Sequence, residues 1–284
     1  MSAPIRITDV VVGGVRSRVR EAGPAAAREA VVFVHGNPGS GEDWVSLLGQ
    51  VGVFGRAVAV DLPGFGRAEK PDDFDYTVDG YARHLGGVLD TLGVDRAHLV
   101  LHDFGGLWGL QWAADHPDGL ASVVLLGIGV MPGYSWHRWA RVWRTPLLGE
   151  VSMRTGTRAA FRKVINSGHP RGLPDRFVDR MYDDYDAGTR RAVLRLYRAT
   201  DDPGALGVAL GKRLRPLDRP ALVLWGAHDA YLPVAYAERQ REVFPRAEVH
   251  VLEESGHWLF ADAPSETAGL VVPFLRRMLN APEP

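Results

Sequence analysis

Asp103 is the residue of this 284-residue chain best placed to do chemistry. The apolar run 97–101 and His102 lead into it, and Phe104-Gly105-Gly106 lead out into Leu107-Trp108-Gly109-Leu110-Gln111-Trp112, which reads as a helix. Strand, sharp turn and helix in that order would hold the central side chain exposed above a sheet. A carboxylate there is ionised at neutral pH and needs no base to become a nucleophile. It suits attack on an sp3 carbon, giving an alkyl ester that water must later cleave. Epoxide opening or halide displacement is therefore favoured over ester or peptide hydrolysis. An aspartate before a Gly-rich turn also serves simply as a helix N-cap, so the assignment turns on three other loops.

The first is Val34-His35-Gly36-Asn37-Pro38-Gly39, directly after an apolar run. A tight turn at Gly36 would let the Asn37 amide face the reacting centre and form, with the Phe104 amide, a two-donor oxyanion hole. The second is Leu224-Trp225-Gly226-Ala227-His228-Asp229, where Asp229 could orient a histidine and stabilise its imidazolium form. The third is Glu254-Ser255-Gly256-His257-Trp258, which makes His257 the candidate base. His35 and His102 read as residues that hold loop geometry.

Positioning these groups requires a layered fold. Runs 5–11 and 15–20 read as an opening hairpin around Gly13-Gly14, and 30–34, 57–60, 97–101, 123–126, 221–224 and 248–252 as further strands. Helical patterns fall at 78–92, 104–116, 234–243 and 265–279. This alternation predicts an α/β fold: a mostly parallel, eight-stranded sheet with helices on both faces. Residues 131–216 break the rhythm, with no strand pattern, Arg- and aromatic-rich helical stretches and several Gly-Pro interruptions. They read as a helical cap inserted into a core domain formed by 1–130 and 217–284.

Composition excludes several classes. With no cysteine, the chain has neither disulfides nor thiol chemistry. A net charge of −1 points to no nucleic-acid or membrane partner. Arg and Lys outnumber Asp and Glu 18 to 9 between Met131 and Arg219, against 15 to 25 elsewhere, which reads as a solvated basic surface on the insertion. No signal-like or membrane-length apolar run is present, so a cytoplasmic location and a small-molecule partner are expected. No metal or organic cofactor is implied.

Five motifs in order, His35-Gly36-Asn37-Pro38, Asp61-Leu62-Pro63-Gly64-Phe65-Gly66, His102-Asp103-Phe104-Gly105-Gly106, Trp225-Gly226 through Asp229, and Ser255-Gly256-His257, resemble the α/β-hydrolase superfamily. The likeness is to its aspartate-nucleophile branch, best known from epoxide hydrolases and haloalkane dehalogenases, and it covers nearly the whole chain. It implies Asp103 as nucleophile, Asp229 as acid and His257 as the base that activates water. Two departures stand out. Leu101 occupies a position usually held by a small residue, and Phe104 replaces the tryptophan whose indole N–H holds halide in dehalogenases.

An epoxide oxygen leaves as an alkoxide and needs a proton donor, whereas a halide needs only N–H groups around it. Asn37 resembles the halide-holding asparagine of dehalogenases. Tyr197 resembles the ring-opening tyrosine of epoxide hydrolases; the usual second tyrosine is missing from 147–163, leaving Tyr134 or Tyr182 to fill that role. Trp136, Trp139 and Trp143 have the spacing of one apolar helix face. The expected activity is opening of a small to medium apolar epoxide to a vicinal diol. Haloalkane dehalogenation with the same triad is the alternative, and a non-catalytic ligand-binding protein on this fold is the rival of another class.

Overall fold

The computed structural model describes residues 2–280. Eight strands form one sheet: β1 (Ile5–Val12), β2 (Val15–Ala22), β3 (Glu29–Val34), β4 (Arg56–Val60), β5 (Arg96–His102), β6 (Leu120–Leu126), β7 (Ala221–Gly226) and β8 (Glu248–Leu252). Their order is β1-β2-β4-β3-β5-β6-β7-β8. The hairpin β1–β2 is antiparallel and β2 runs antiparallel to β4; every later pairing is parallel.

Helices α1 (Val45–Val51), α2 (Val78–Thr91) and α3 (Phe104–Asp115) connect the first strands. Six more lie between β6 and β7: α4 (Arg138–Arg144), α5 (Leu148–Thr155), α6 (Arg158–Ile165), α7 (Asp175–Asp184), α8 (Ala187–Ala199) and α9 (Pro203–Leu214). The short α10 (Tyr236–Arg239) and α11 (Leu259–Asp262) and the long α12 (Pro264–Leu279) complete the chain.

Alternation along the strands explains the layers. In β3, Val32 and Val34 join α2 and α3 in one core, while Val31 and Phe33 join α1 and α12 in the other. In β5, Leu99 and Leu101 face the first core and Val100 the second. A strand buried on both faces must be apolar throughout, which is why these runs read as continuous rather than alternating. Leu101 fits because α3 carries glycine opposite it: a Cβ on Gly109 would lie 2.4 Å from the leucine side chain.

The insertion is tied to the core by charge as well as by packing. Arg180 of α7 pairs with Asp43 at 2.5 Å and reaches Ser40 Oγ at 3.2 Å, in the loop after β3. On the other side, His169 Nδ1 bonds Asp262 of α11, and that carboxylate also accepts the Gly256 amide at 2.9 Å. Both partners of the His169–Asp262 pair are buried.

Candidate active site

Asp103 sits between β5 and α3 with φ 50° and ψ −128°, a conformation a non-glycine residue adopts only when its surroundings enforce it. The enforcement is visible in two glycines. A Cβ on Gly36 would lie 2.3 Å from Asp103 Cβ, and one on Gly105 would lie 2.4 Å from the His35 carbonyl oxygen. Only hydrogen at both positions lets the turn press against the loop after β3.

The ends of four strands, β3, β5, β7 and β8, then converge. Asp103 Oδ1 accepts the Asn37 amide at 2.7 Å, and its Oδ2 lies 3.5 Å from His257 Nε2. His257 Nδ1 donates to Asp229 Oδ2 at 2.7 Å. The other oxygen of Asp229 accepts the amides of Tyr231 and Leu232, each at 2.9 Å, which fixes the carboxylate towards the imidazole. Phe104 opens α3, so its N–H has no partner inside that helix and lies at the positive end of the helix dipole.

Second contacts hold the loops. His35 Nε2 accepts the Leu62 amide at 3.0 Å while its Nδ1 donates to the Gly36 carbonyl at 2.8 Å. His102 Nε2 donates to the carbonyl of His257 at 3.0 Å. Burial, with the charge of His257 beside it, lowers the His102 pKa to about 3, so it acts as a neutral donor.

The charges are mutually dependent. Burial resists protonation of His257, but the carboxylates of Asp229 and Asp103 on its two sides outweigh burial and raise its pKa to about 10. Burial likewise works against ionisation of Asp103. The His257 hydrogen bond and charge and the Asn37 amide more than offset it and keep the carboxyl below the usual range. The resting site is carboxylate–imidazolium–carboxylate.

Above Asp103 lies a cavity of about 50 Å³ lined by aromatic and aliphatic side chains from the insertion and the β7–α10 loop. Its polar members beyond the triad are Asn37, Tyr134, His137, Tyr197 and Tyr231. Tyr197 of α8 is buried edge-on to the Phe104 ring at 5.0 Å between centroids. Burial, then the nearby Asp103 charge, push its pKa well above that of an ordinary phenol. Its hydroxyl lies 3.4 Å from His137 Nε2.

The other two candidate tyrosines separate. Tyr134 lines the cavity, but its hydroxyl donates to the Tyr231 carbonyl at 3.3 Å. Tyr182 does not line it. α7 turns Tyr182 towards Phe161 and a neighbouring cavity of about 300 Å³, with the Arg158 guanidinium 4.5 Å from its ring. The tryptophans also depart from expectation, because α4 starts only at Arg138. Trp136 precedes the helix and donates its indole N–H to the Thr200 carbonyl at 3.0 Å, while Trp139 and Trp143 stack on one another. His137 is the residue sequence reasoning missed. Its available signal was a histidine just ahead of a helix, which here caps α4.

Among the described residues no group of three or more His, Asp or Glu side chains is arranged to hold a metal ion, and no helix is long and apolar enough to cross a membrane.

Fold and site together define an α/β hydrolase, and residues 29–264 match that fold family as a whole, so the chain belongs to it. A sequence relative is the 2-hydroxy-6-oxononadienedioate/2-hydroxy-6-oxononatrienedioate hydrolase of Burkholderia vietnamiensis, 28% identical over 304 residues and covering 97% of each chain. Among solved structures, the haloalkane dehalogenase DbeA from Bradyrhizobium elkani superposes with a TM-score of 0.84 at 24% identity, covering 98% of this chain and 100% of its own. The epoxide hydrolase CorEH gives 0.81 at 18% identity, covering 96% and 99%. The two structures share the fold; at these identities neither assigns a substrate, and the sequence relative is named for a third chemistry.

Proposed function

We propose that this hydrolase opens a neutral epoxide to a vicinal diol through an ester on Asp103. The observation that carries the proposal is the Tyr197 phenol lining the same cavity as the carboxylate, where an alkoxide leaving group would need a proton. In the first step Asp103 forms a C–O bond to a ring carbon, that carbon's own bond to the epoxide oxygen breaks, and the oxygen takes the Tyr197 proton. In the second, His257 first passes its proton to the Tyr197 phenolate and then takes one from the water that adds to the ester carbonyl. The resulting oxyanion would be held by the amides of Asn37 and Phe104, worth roughly 3 kcal/mol per donor in comparable sites. Collapse, in which the proton of the added hydroxyl passes to the departing alkoxide, releases the diol and leaves Asp103 a carboxylate beside a protonated His257.

Two features argue against the neighbouring chemistries. For halide displacement, Phe104 offers no side-chain N–H and the Trp136 indole is already committed to Thr200, which leaves the unpartnered Trp258 indole as the cavity's buried donor. For the dienedioate named in the Burkholderia relative, charge is unfavourable. Neither Arg nor Lys lines the Asp103 cavity, and the imidazolium is outnumbered by two carboxylates. A dianion would enter against that field.

The test is the intact mass of His257→Gln after separate exposure to styrene oxide and 1-bromohexane. Blocking hydrolysis should trap the ester. An adduct of the whole epoxide is the expected result. An alkyl adduct lacking bromine, with none from the epoxide, would establish dehalogenase chemistry instead; no adduct from either would leave another substrate class or a binding role.

A further inference from the structure

Granted the epoxide chemistry above, we infer that His137 is a positioning residue that directs the Tyr197 proton at the substrate. Its place in the chain fixes its tautomer. His137 is the N-cap of α4, and its Nδ1 accepts the Ala140 amide at 3.3 Å. A nitrogen that accepts carries no proton, so in a neutral imidazole the hydrogen sits on Nε2. Burial lowers the His137 pKa to about 4, which keeps the ring neutral at physiological pH.

Nε2 faces the Tyr197 hydroxyl at 3.4 Å. Since Nε2 is the donor in that contact, the tyrosine oxygen is the acceptor, and its own hydrogen is not spent on His137. Asn37 faces the same phenol and opposes the rise in its pKa, as a donor to the oxygen does. Tyr197 lines the cavity above Asp103, so a hydrogen not spent on His137 can be given to an oxygen bound there. As the proton leaves, charge grows on an oxygen that already receives an N–H, and hydrogen bonds to charged groups are stronger than those to neutral ones. His137 therefore does part of the work that a second tyrosine would do, but by gripping the first phenol rather than the substrate. Tyr134 is poorly placed for that part, because its hydroxyl is turned to the Tyr231 carbonyl.

Two substitutions separate this role from helix capping. An asparagine amide overlays the Nδ1 side of imidazole: His137→Asn keeps a good N-cap and loses the Nε2 donor. A glutamine amide reaches the Nε2 side: His137→Gln keeps a donor near Tyr197 and gives up the cap. Each is placed in the His257→Gln background, and the rate of ester formation is followed by intact mass with styrene oxide and with 1-bromohexane. Thermal unfolding of each variant is recorded in parallel.

His137→Asn should slow the epoxide step by on the order of tenfold to a hundredfold, and His137→Gln should restore most of it despite a lower melting temperature. Any bromide reaction should be unchanged by either, because bromide leaves without a proton. Equal epoxide rates in the two variants, or rates that follow melting temperature, would overturn the inference while leaving the epoxide reading intact. Absence of an epoxide adduct in the parent His257→Gln protein would overturn the reading itself, and the inference with it.

Discussion

Stability at alkaline pH should report directly on the proton that His257 holds. Two carboxylates raise its pKa in the folded protein to about 10, whereas an unfolded histidine titrates near 6.5. Between those values the native state keeps the proton and the unfolded state does not. The unfolding free energy therefore falls as pH rises, with a slope of up to about 1.4 kcal/mol per unit for one proton. The stabilisation is complete below pH 6.5 and lost as pH passes through about 10. Over some 3.5 units the loss reaches at most about 5 kcal/mol, a large part of the stability of an ordinary domain. Urea unfolding of the wild type and of His257→Gln at pH 6.5, 8 and 9.5 isolates this contribution, because every other titrating group is common to both. The two stabilities should converge or cross with rising pH. Parallel curves would show that His257 is not held as a cation, and the charge pattern assigned to the site would be wrong.

Other substitutions probe separate parts of the structure. Tyr197→Phe, in the His257→Gln background, should slow ester formation from styrene oxide by on the order of a hundredfold and leave any reaction with 1-bromohexane unchanged; rapid mixing with mass detection measures both. Gly36→Ala would put a methyl 2.6 Å from Asp103 Oδ1. It should displace the nucleophile and cut turnover by about two orders of magnitude, by analogy with other small misplacements at reacting centres; a wild-type rate would mean that the elbow yields freely. His169→Leu strands the buried Asp262 carboxylate with only the Gly256 amide. A loss of about 3–5 kcal/mol in urea unfolding is expected, much of it recovered in the double variant His169→Leu/Asp262→Leu.

Much of this was legible because strands and their ends are written in local sequence. β8 coincides with the run expected, and the other seven strands differ only at their ends; β6 starts at Leu120 rather than 123. The segment 234–243 was harder. It yields only the single turn of α10 and a short 3-10 turn, where Gln240 is pulled inward to bond Val130 and the Tyr236 carbonyl. Asp103, Asp229 and His257 could be singled out because each follows a strand in a loop with glycine near it, so topology alone brings them together. The wall of the cavity could not be read that way. Whether Tyr134 or Tyr182 reaches the site depends on how α7 and the 131–137 segment lie across the sheet, and helical periodicity carries no such information. His137 meets Tyr197 across 60 residues, and nothing local to either marks the contact.

The raised pKa of His257 poses a difficulty for a general base, since a protonated imidazole cannot accept a proton from water. The proposed ester resolves it. Of the charges that keep His257 protonated, one is the Asp103 carboxylate and the other is Asp229. Alkylation neutralises the first and leaves the second, so the pKa must fall when the ester forms. The proton is then free to pass to solvent or to the Tyr197 phenolate, and the neutral imidazole that remains faces the ester from the 3.5 Å position of Nε2. Before alkylation the same site cannot make hydroxide efficiently, because its base is already occupied. The order of the two steps follows from the charge on Asp103 itself, with no conformational change required to time them. On the proposed reading, a carboxylate nucleophile would do something a neutral hydroxyl could not: its consumption would be the signal that arms the base.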